Sequence, residues 1–416
     1  MLTELPTVWP VDRRRLVRPT AIGLGALACL TLAWRSGALE LRSTSFLVTL
    51  VGTALAAVVL LIRRGSALAG RGVTRFARRL ALLVGCQVLA VAVVCATVND
   101  WFDFYSSWND LLGTGQPVTL TLNPPPGPGP AGGQVPGRPG AAVALPRTID
   151  RRYTAPDPRA GRLVPVDIPG HRTGLSTHAV VMLPPQYDEP AYAHRSFPVT
   201  LVLAGYPSQI GSLEGSLAVP QTADALLHTG RMSPMVMVLV SPTVVPPRDT
   251  ECTDIPNGPQ VQSFLAEDVP AWVSGHYRVS GAGHWGVLGF STGGFCAAKL
   301  ALTYPWVFAA GVSLSGYLHA RTDPTTGDLF GGSTAVQQQN DPLWRVQHLP
   351  NPSVSLLLTA SKQETGVYQQ VEQLVAASRP PLAVSTIIRP TGGHNAGVWR
   401  GELPLCLQWL SALLPG

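Results

Sequence analysis

The chain has 416 residues, 46% of them hydrophobic and only 13% charged, against about 25% charged in an ordinary soluble domain. Its 42 glycines and 39 prolines follow no Gly-X-Y period and are broken by long apolar runs, which excludes a collagen and a wholly disordered chain. The formal charge of +6 is almost all arginine, with lysine only at Lys299 and Lys362, and the composition as a whole points to a membrane region joined to a folded domain.

Three apolar stretches open the chain, at residues 19–34, 44–62 and 80–98. Each is close to the ~20 residues that cross a hydrocarbon core, so they read as three transmembrane helices. Arg13, Arg14, Arg15 and Arg18 precede the first stretch, as in a signal peptide, but no small-residue cleavage site follows it. The segment between the second and third stretches carries Arg63, Arg64, Arg71, Arg75, Arg78 and Arg79 with no acid, which marks it as cytoplasmic. Beyond the third, Asp100, Asp103 and Asp110 replace arginine, and Trp101, Phe102, Tyr105 and Trp108 suit an interface with lipid headgroups. The expected topology is therefore multi-pass in the plasma membrane, with the N-terminus cytoplasmic and the C-terminal domain outside. The arginine cluster reads as this topology signal rather than as a nucleic-acid patch, so nucleic acid is not an expected partner.

Residues 113–161 are rich in Pro and Gly and poor in large side chains, the composition of a semi-rigid linker. A short strand over 118–122 is the single element expected within it. Residues 162–416 are long enough for one large α/β domain. Short apolar runs bounded by Gly, Pro or Ser read as buried strands: HAVVMLP, PVTLVLAG, MVMVLVSP, HWGVLGF, AAGVSLSG, SVSLLLTA and AVSTIIRP. VQSFLAEDVPAWVSGHY, TGGFCAAKLALTYP, VYQQVEQLVAAS and ELPLCLQWLSALL have apolar residues at helical spacing. Alternating strands and helices of this kind predict a mostly parallel sheet with helices on both faces.

Gly289-Phe290-Ser291-Thr292-Gly293 lies between a strand and a helix. A turn that sharp admits only small neighbours and lifts the Ser291 hydroxyl above the strand ends; a glycine-rich helix start with Ser291 as a simple cap is the competing reading. A serine hydroxyl needs a base to become a nucleophile, and on this architecture acid and histidine follow the serine in that order. His394, after the last strand and before the final helix, is the best-placed base. The acid belongs after the strand SVSLLLTA, where Glu364 in the loop is favoured over Glu372 in the following helix, although Glu364 would also suit a helix start for its charge alone. Thr292 should give one oxyanion-hole N–H, and Tyr206 or neighbouring Gly205 the second, from the loop after PVTLVLAG.

Cys252 follows a strand at the carboxyl edge of the sheet, and Cys296 lies one turn into the helix after Ser291. A disulfide between them is expected in an extracytoplasmic domain, two free buried thiols being the alternative. Cys406 reads as core. No CxxC or HExxH spacing is present, so neither a metal nor a cofactor is expected.

GVLGFSTGGFCAAKLALTYPWVFAAGVSLSGYL and GGHNAGVWRGELPLCLQWL resemble the nucleophile and histidine segments of the esterase D and mycolyltransferase-like family of α/β-hydrolases. LAGYPSQIGS is similar to that family's oxyanion loop. The resemblance spans about residues 162–416 and implies Ser291 as nucleophile, His394 as base and Glu364 as acid. The N-terminal spans ahead of such a domain are like those of membrane-anchored esterases of actinobacteria, whereas the mycolyltransferases proper are secreted. The implied activity is an extracytoplasmic serine esterase working through an acyl-enzyme on an ester or acyl-lipid beside membrane lipid. The alternatives are an acyltransferase that delivers the acyl chain to a cell-envelope glycan or glycolipid, and a non-catalytic envelope-binding module that keeps the fold.

Overall fold

In the computed structural model the described residues are 40–65, 72–114, 122–123 and 161–414. They belong to two compact units, Met1–Leu112 and Gly113–Gly416.

In the first unit, helix α1 (Thr44–Gly65) and helix α2 (Val73–Phe102) contain two segments, Thr44–Arg63 and Arg79–Phe102, long and apolar enough to cross a membrane. The first expected span, 19–34, lies outside the described residues, so three transmembrane helices become two among the residues described. Helix α2 also runs well beyond the 80–98 read from hydropathy. Arginine is a good helix former, so the helix begins inside the arginine-rich segment, where the apolar pattern is silent. At its far end Asp103 adopts the left-handed conformation, φ 56°, and the Asn99 side chain accepts from the Tyr105 N–H at 2.8 Å and donates to the Tyr105 carbonyl at 3.0 Å. Arg42, before α1, pairs with Asp103, after α2, which makes the two helices an antiparallel hairpin. A short helix α3 (Trp108–Leu112) follows, its Trp108 meeting Phe46 edge to face at 5.4 Å.

The second unit is built on a nine-stranded sheet in the order β1-β9-β8-β7-β6-β4-β5-β3-β2. All seven strands read from the sequence are present: β3 (Ser176–Leu183), β4 (Val199–Leu203), β5 (Val236–Val240), β6 (Trp285–Phe290), β7 (Phe308–Leu314), β8 (Ser355–Ser361) and β9 (Ala383–Arg389). Strands β5, β4, β6, β7, β8 and β9 are mutually parallel. Every residue of β4, β5 and β6 is buried, as strands covered on both faces must be. β2 (Arg162–Pro169), which was not read, pairs antiparallel with β3 at one edge. β1 (Leu122–Asn123) pairs antiparallel with β9 at the other; it begins at the last residue of the strand expected over 118–122, whose residues 118–121 lie outside the described residues.

Helices cover both faces. On one side lie α5 (Val269–His276), α6 (Thr292–Thr303), α8 (Pro342–His348) and α9 (Thr365–Ala377), contributing Val273, Phe295, Leu300, Leu343 and Leu374 to one core; short α7 (Thr334–Gln339) precedes α8. On the other side α4 (Val219–His228) and α10 (Ala396–Leu413) bring Leu226, Leu403, Leu407 and Leu410 against β4, β6 and β7.

The register sets up the site. Leu203 of β4 is level with Gly289 of β6, Phe290 with Leu314 of β7, Leu314 with Thr359 of β8, and Ser361 with Arg389 of β9. The chain therefore leaves five parallel strands at one edge, and Gly205, Ser291, Ser315, Glu364 and His394 all fall in the loops just past those ends. Polar side chains gathered beyond the carboxyl ends of parallel strands are where α/β folds place their chemistry.

Candidate active site

Ser291 joins β6 to α6 with φ 55° and ψ −124°, a conformation that costs a non-glycine residue energy and that clusters at functional sites. Backbone bonds hold it there: its N–H donates to the Leu314 carbonyl at 3.0 Å, and its own carbonyl accepts from Phe295 at 3.0 Å. The flanking glycines are steric necessities. A Cβ on Gly289 would lie 2.1 Å from the Gly293 carbonyl oxygen, and one on Gly293 would lie 2.4 Å from the oxygens of both Leu203 and Ala204.

His394 comes from the loop between β9 and α10, held to the loop after β8 by Lys362 N–H to Arg389 O at 2.9 Å and Gly392 N–H to the Gln363 side chain at 2.9 Å. Its Nε2 is 2.8 Å from Ser291 Oγ, and its Nδ1 is 2.6 Å from Glu364 Oε1. With the carboxylate facing Nδ1, that nitrogen carries the proton and donates to Glu364, leaving Nε2 to accept from the Ser291 hydroxyl. The edge of the imidazole meets the Trp399 ring at 4.9 Å, and Trp399 stacks on Phe290 at 4.7 Å. The indole thus links the histidine to the residue before Ser291.

Glu364 is 2% exposed and stands at the start of α9. Its second oxygen accepts from Ser315 Oγ at 3.0 Å, so both carboxyl oxygens are satisfied, as burial of an acid requires. Ser315, at the end of β7, is in the left-handed region with φ 47°. Sequence reading gave it no role, because SLSG there scans as the end of a strand.

Thr292 opens α6 and is buried. Tyr206 lies in the loop after β4, where its hydroxyl donates to the Pro247 carbonyl at 3.0 Å. A Cβ on Gly205 would come within 3.0 Å of Ser291 Cβ, so this loop passes directly over the elbow. Of the residues read for the oxyanion hole, Thr292 thus follows Ser291 directly and Gly205 packs against it.

Cys252 and Cys296 form a disulfide with their Cα atoms 5.8 Å apart. The bond ties α6 to a loop in which Glu251 and Cys252 both have positive φ, 44° and 50°. Beneath it lies a buried polar cluster that the sequence did not disclose. Lys299, fully buried on α6, donates to the Glu251 carbonyl at 2.7 Å, Thr253 Oγ1 at 3.0 Å and Asn340 Oδ1 at 3.1 Å. The Tyr317 hydroxyl donates to Glu251 Oε1 at 2.6 Å. Burial raises the Glu251 carboxyl and lowers the Lys299 ammonium from their ordinary values, the direction expected when charge loses water. Cys406 is buried and free, as read.

A cavity of about 490 Å³ adjoins the loop after β4, with Gln209, Ile210, Ser241 and Thr243 in its wall. Ser291, His394 and Glu364 do not line it.

Comparison with known proteins agrees with this architecture. The family described as "Putative esterase" matches residues 170–404. An uncharacterized protein of Corynebacterium glutamicum is 24% identical over 290 residues, 63% of this chain, and the match spans 65% of that protein's length. Among solved structures, a ferulic acid esterase superimposes with a TM-score of 0.50 at 17% identity, covering 61% of this chain and 99% of its own. An S-formylglutathione hydrolase from Agrobacterium tumefaciens gives 0.50 at 17%, covering 62% and 97%. The two solved structures share the fold, and the family match covers more than half of the sequence: the chain belongs to the esterase family, enzymes of the α/β-hydrolase fold.

Proposed function

We propose that the protein is a membrane-anchored serine esterase whose catalytic domain faces outward and whose reaction runs through Ser291, His394 and Glu364. The observation that carries this reading is the pair of short contacts through one imidazole, 2.8 Å to Ser291 Oγ and 2.6 Å to Glu364 Oε1, at a serine held in a strained turn. In the reaction, Ser291 Oγ attacks the acyl carbon while His394 Nε2 takes its proton. The oxyanion is met by the N–H groups of Thr292 and Tyr206. Collapse breaks the ester C–O bond as the imidazolium returns the proton to the leaving alcohol, and water then repeats the sequence to release the acid and restore the serine. Glu364 stabilises the imidazolium and holds its tautomer.

The two apolar helices, the arginine-only segment between them and the Pro/Gly-rich stretch at 113–161 support an anchor, a cytoplasmic loop and a linker to the domain at 162–416. The disulfide supports an oxidising, extracytoplasmic setting. Labelling of the detergent-solubilised protein with a fluorophosphonate tests the catalytic assignment without a guess at substrate. Wild type is expected to label and Ser291→Ala to lose both labelling and hydrolysis of short p-nitrophenyl esters; labelling that survives Ser291→Ala refutes the assignment.

A further inference from the structure

Behind the proposed acid lies a second carboxyl that the reaction above does not use. Glu402 is on α10, two turns after His394, and is completely buried. Its Oε2 accepts from Thr359 Oγ1 at 2.7 Å. The same Thr359 hydroxyl, with its proton committed to Glu402, presents its lone pairs to the Ser315 N–H at 3.2 Å, which also donates to the Thr359 carbonyl at 3.2 Å. Ser315 in turn donates its hydroxyl to Glu364 Oε2 at 3.0 Å, and Glu364 Oε1 meets His394 at 2.6 Å. The path His394, Glu364, Ser315, Thr359, Glu402 is then closed by the chain itself, because residues 394–402 connect the imidazole to Glu402.

We propose that Glu402 and Thr359 are positioning residues for the Glu364–His394 pair: they complete a hydrogen-bonded ring that fixes where Ser315 aims its hydroxyl and how α10 presents His394. This rests on the reading of Ser291, His394 and Glu364 as the catalytic residues.

Three features favour a positioning role over plain packing. A carboxyl deep in a helix–sheet interface is costly where an apolar residue would fit, and Glu402 Oε1 has no hydrogen-bond partner, Arg389 Nε standing 3.9 Å away. The cost is not offset by a tight ion pair. Second, Ser315 is held at positive φ, and its N–H bonds to β8 are what keep it there. Third, the Thr359 hydroxyl joins the buried Glu402 carboxyl to the Ser315 N–H, and the Ser315 hydroxyl joins that same residue to Glu364, so each contact restrains the group that makes the next. The groups facing Glu402 are Arg389 on β9, Thr359 on β8, Glu364 before α9 and Cys406 on its own helix. Burial pushes its carboxyl up to about 7, so near neutrality the neutral acid and the carboxylate are both populated, and either form keeps an acceptor oxygen for Thr359.

The test compares Glu402→Leu, Thr359→Val and the conservative Glu402→Gln, which retains an acceptor, in the full-length protein. Hydrolysis of p-nitrophenyl butyrate is followed across pH, with the rate of fluorophosphonate labelling as a second readout. Small misplacements of reacting groups are costly in rate, so Glu402→Leu and Thr359→Val are each expected to lower kcat by about tenfold, with KM within twofold, and to displace the acid limb of the pH–rate profile. Glu402→Gln should retain at least half of the wild-type kcat. Wild-type kcat and pH profile in both Glu402→Leu and Thr359→Val overturn the proposal, as does Glu402→Gln failing like Glu402→Leu. If Glu402→Leu does not fold, Thr359→Val decides alone, since it loses only the hydroxyl. A wild-type protein that neither labels nor hydrolyses the ester refutes the hydrolase reading, and the positioning role falls with it; an active wild type with indifferent variants refutes the positioning role only.

Discussion

Replacing Gly293 by alanine should separate the two halves of the oxyanion hole. The added Cβ would stand 2.4 Å from the carbonyl oxygens of Leu203 and Ala204, whereas a carbon and a carbonyl oxygen rest at about 3.4 Å. Both obstacles are backbone, so the strain cannot be relieved by turning a side chain, and α6 and the end of β4 must part by roughly 1 Å. The two sides of that contact carry the two proposed donors: Thr292 precedes Gly293 on α6, and Tyr206 follows Ala204. A misplacement of this size lowers the rate about 100-fold, equivalent to about 2.7 kcal/mol in the barrier, on top of an overpacking cost of about 1–3 kcal/mol in stability. The assay is kcat and KM for p-nitrophenyl butyrate beside thermal unfolding by tryptophan fluorescence. Gly275→Ala serves as the control, because Gly275 lies in α5 with nothing within 4 Å of its added Cβ; it should be neutral or slightly stabilising. Folded Gly293→Ala with wild-type kcat would show that the close approach of α6 to the β4 loop does not set the oxyanion geometry.

Two further outcomes follow from the buried groups. Cys252 and Cys296 are 44 residues apart in sequence, and removing a cross-link of that span by a double Cys→Ser change should cost up to about 4 kcal/mol of stability by loop entropy; alkylation before lysis followed by mass mapping should find the two bonded in protein taken from its membrane, and free thiols there would contradict the extracytoplasmic placement. Burial raises the Glu402 carboxyl to about 7 in the folded protein against 4.5 for an ordinary glutamate, so between those values the folded state holds a proton that the unfolded chain has lost, and its contribution to stability is present below about 4.5 and declines as pH rises toward 7. Glu402→Gln should therefore unfold with a visibly flatter dependence of midpoint on pH over that interval, and identical slopes for mutant and wild type would show that the carboxyl does not titrate there.

What could be read from the sequence was whatever a local pattern encodes. β4, β5 and β6 announce themselves because burial on both faces makes them unbroken apolar runs, and the elbow announces itself because Gly289 and Gly293 are the only side chains its backbone contacts admit. β2 escaped notice for the converse reason: it lies at an edge, alternates in exposure and contains Pro165, Asp167 and Pro169. α2 extends beyond the span read at 80–98 because hydropathy marks where lipid contact would begin, whereas helix propensity continues through the arginines from Val73 onward. Short α7 and α8 depend on Ser333 and Asp341, whose side chains cap them, and one cap in a polar loop carries little signal.

The polar partners of the site were hidden for a different reason. Ser291, His394 and Glu364 each fall in a loop directly after a strand, so strand order and chain order together were enough to nominate them. Ser315, Thr359 and Glu402 become neighbours only because β7 and β8 pair in one register, with Leu314 beside Thr359, and because α10 then lies back across them. A shift of one residue in that pairing would turn the Thr359 side chain to the opposite face, leaving Glu402 without its donor and the Ser315 N–H without the hydroxyl. The supporting chemistry is thus a property of register, which no single segment of the sequence specifies, and this is why a serine, a base and an acid could be nominated one loop at a time while the residues that hold the acid in place could not.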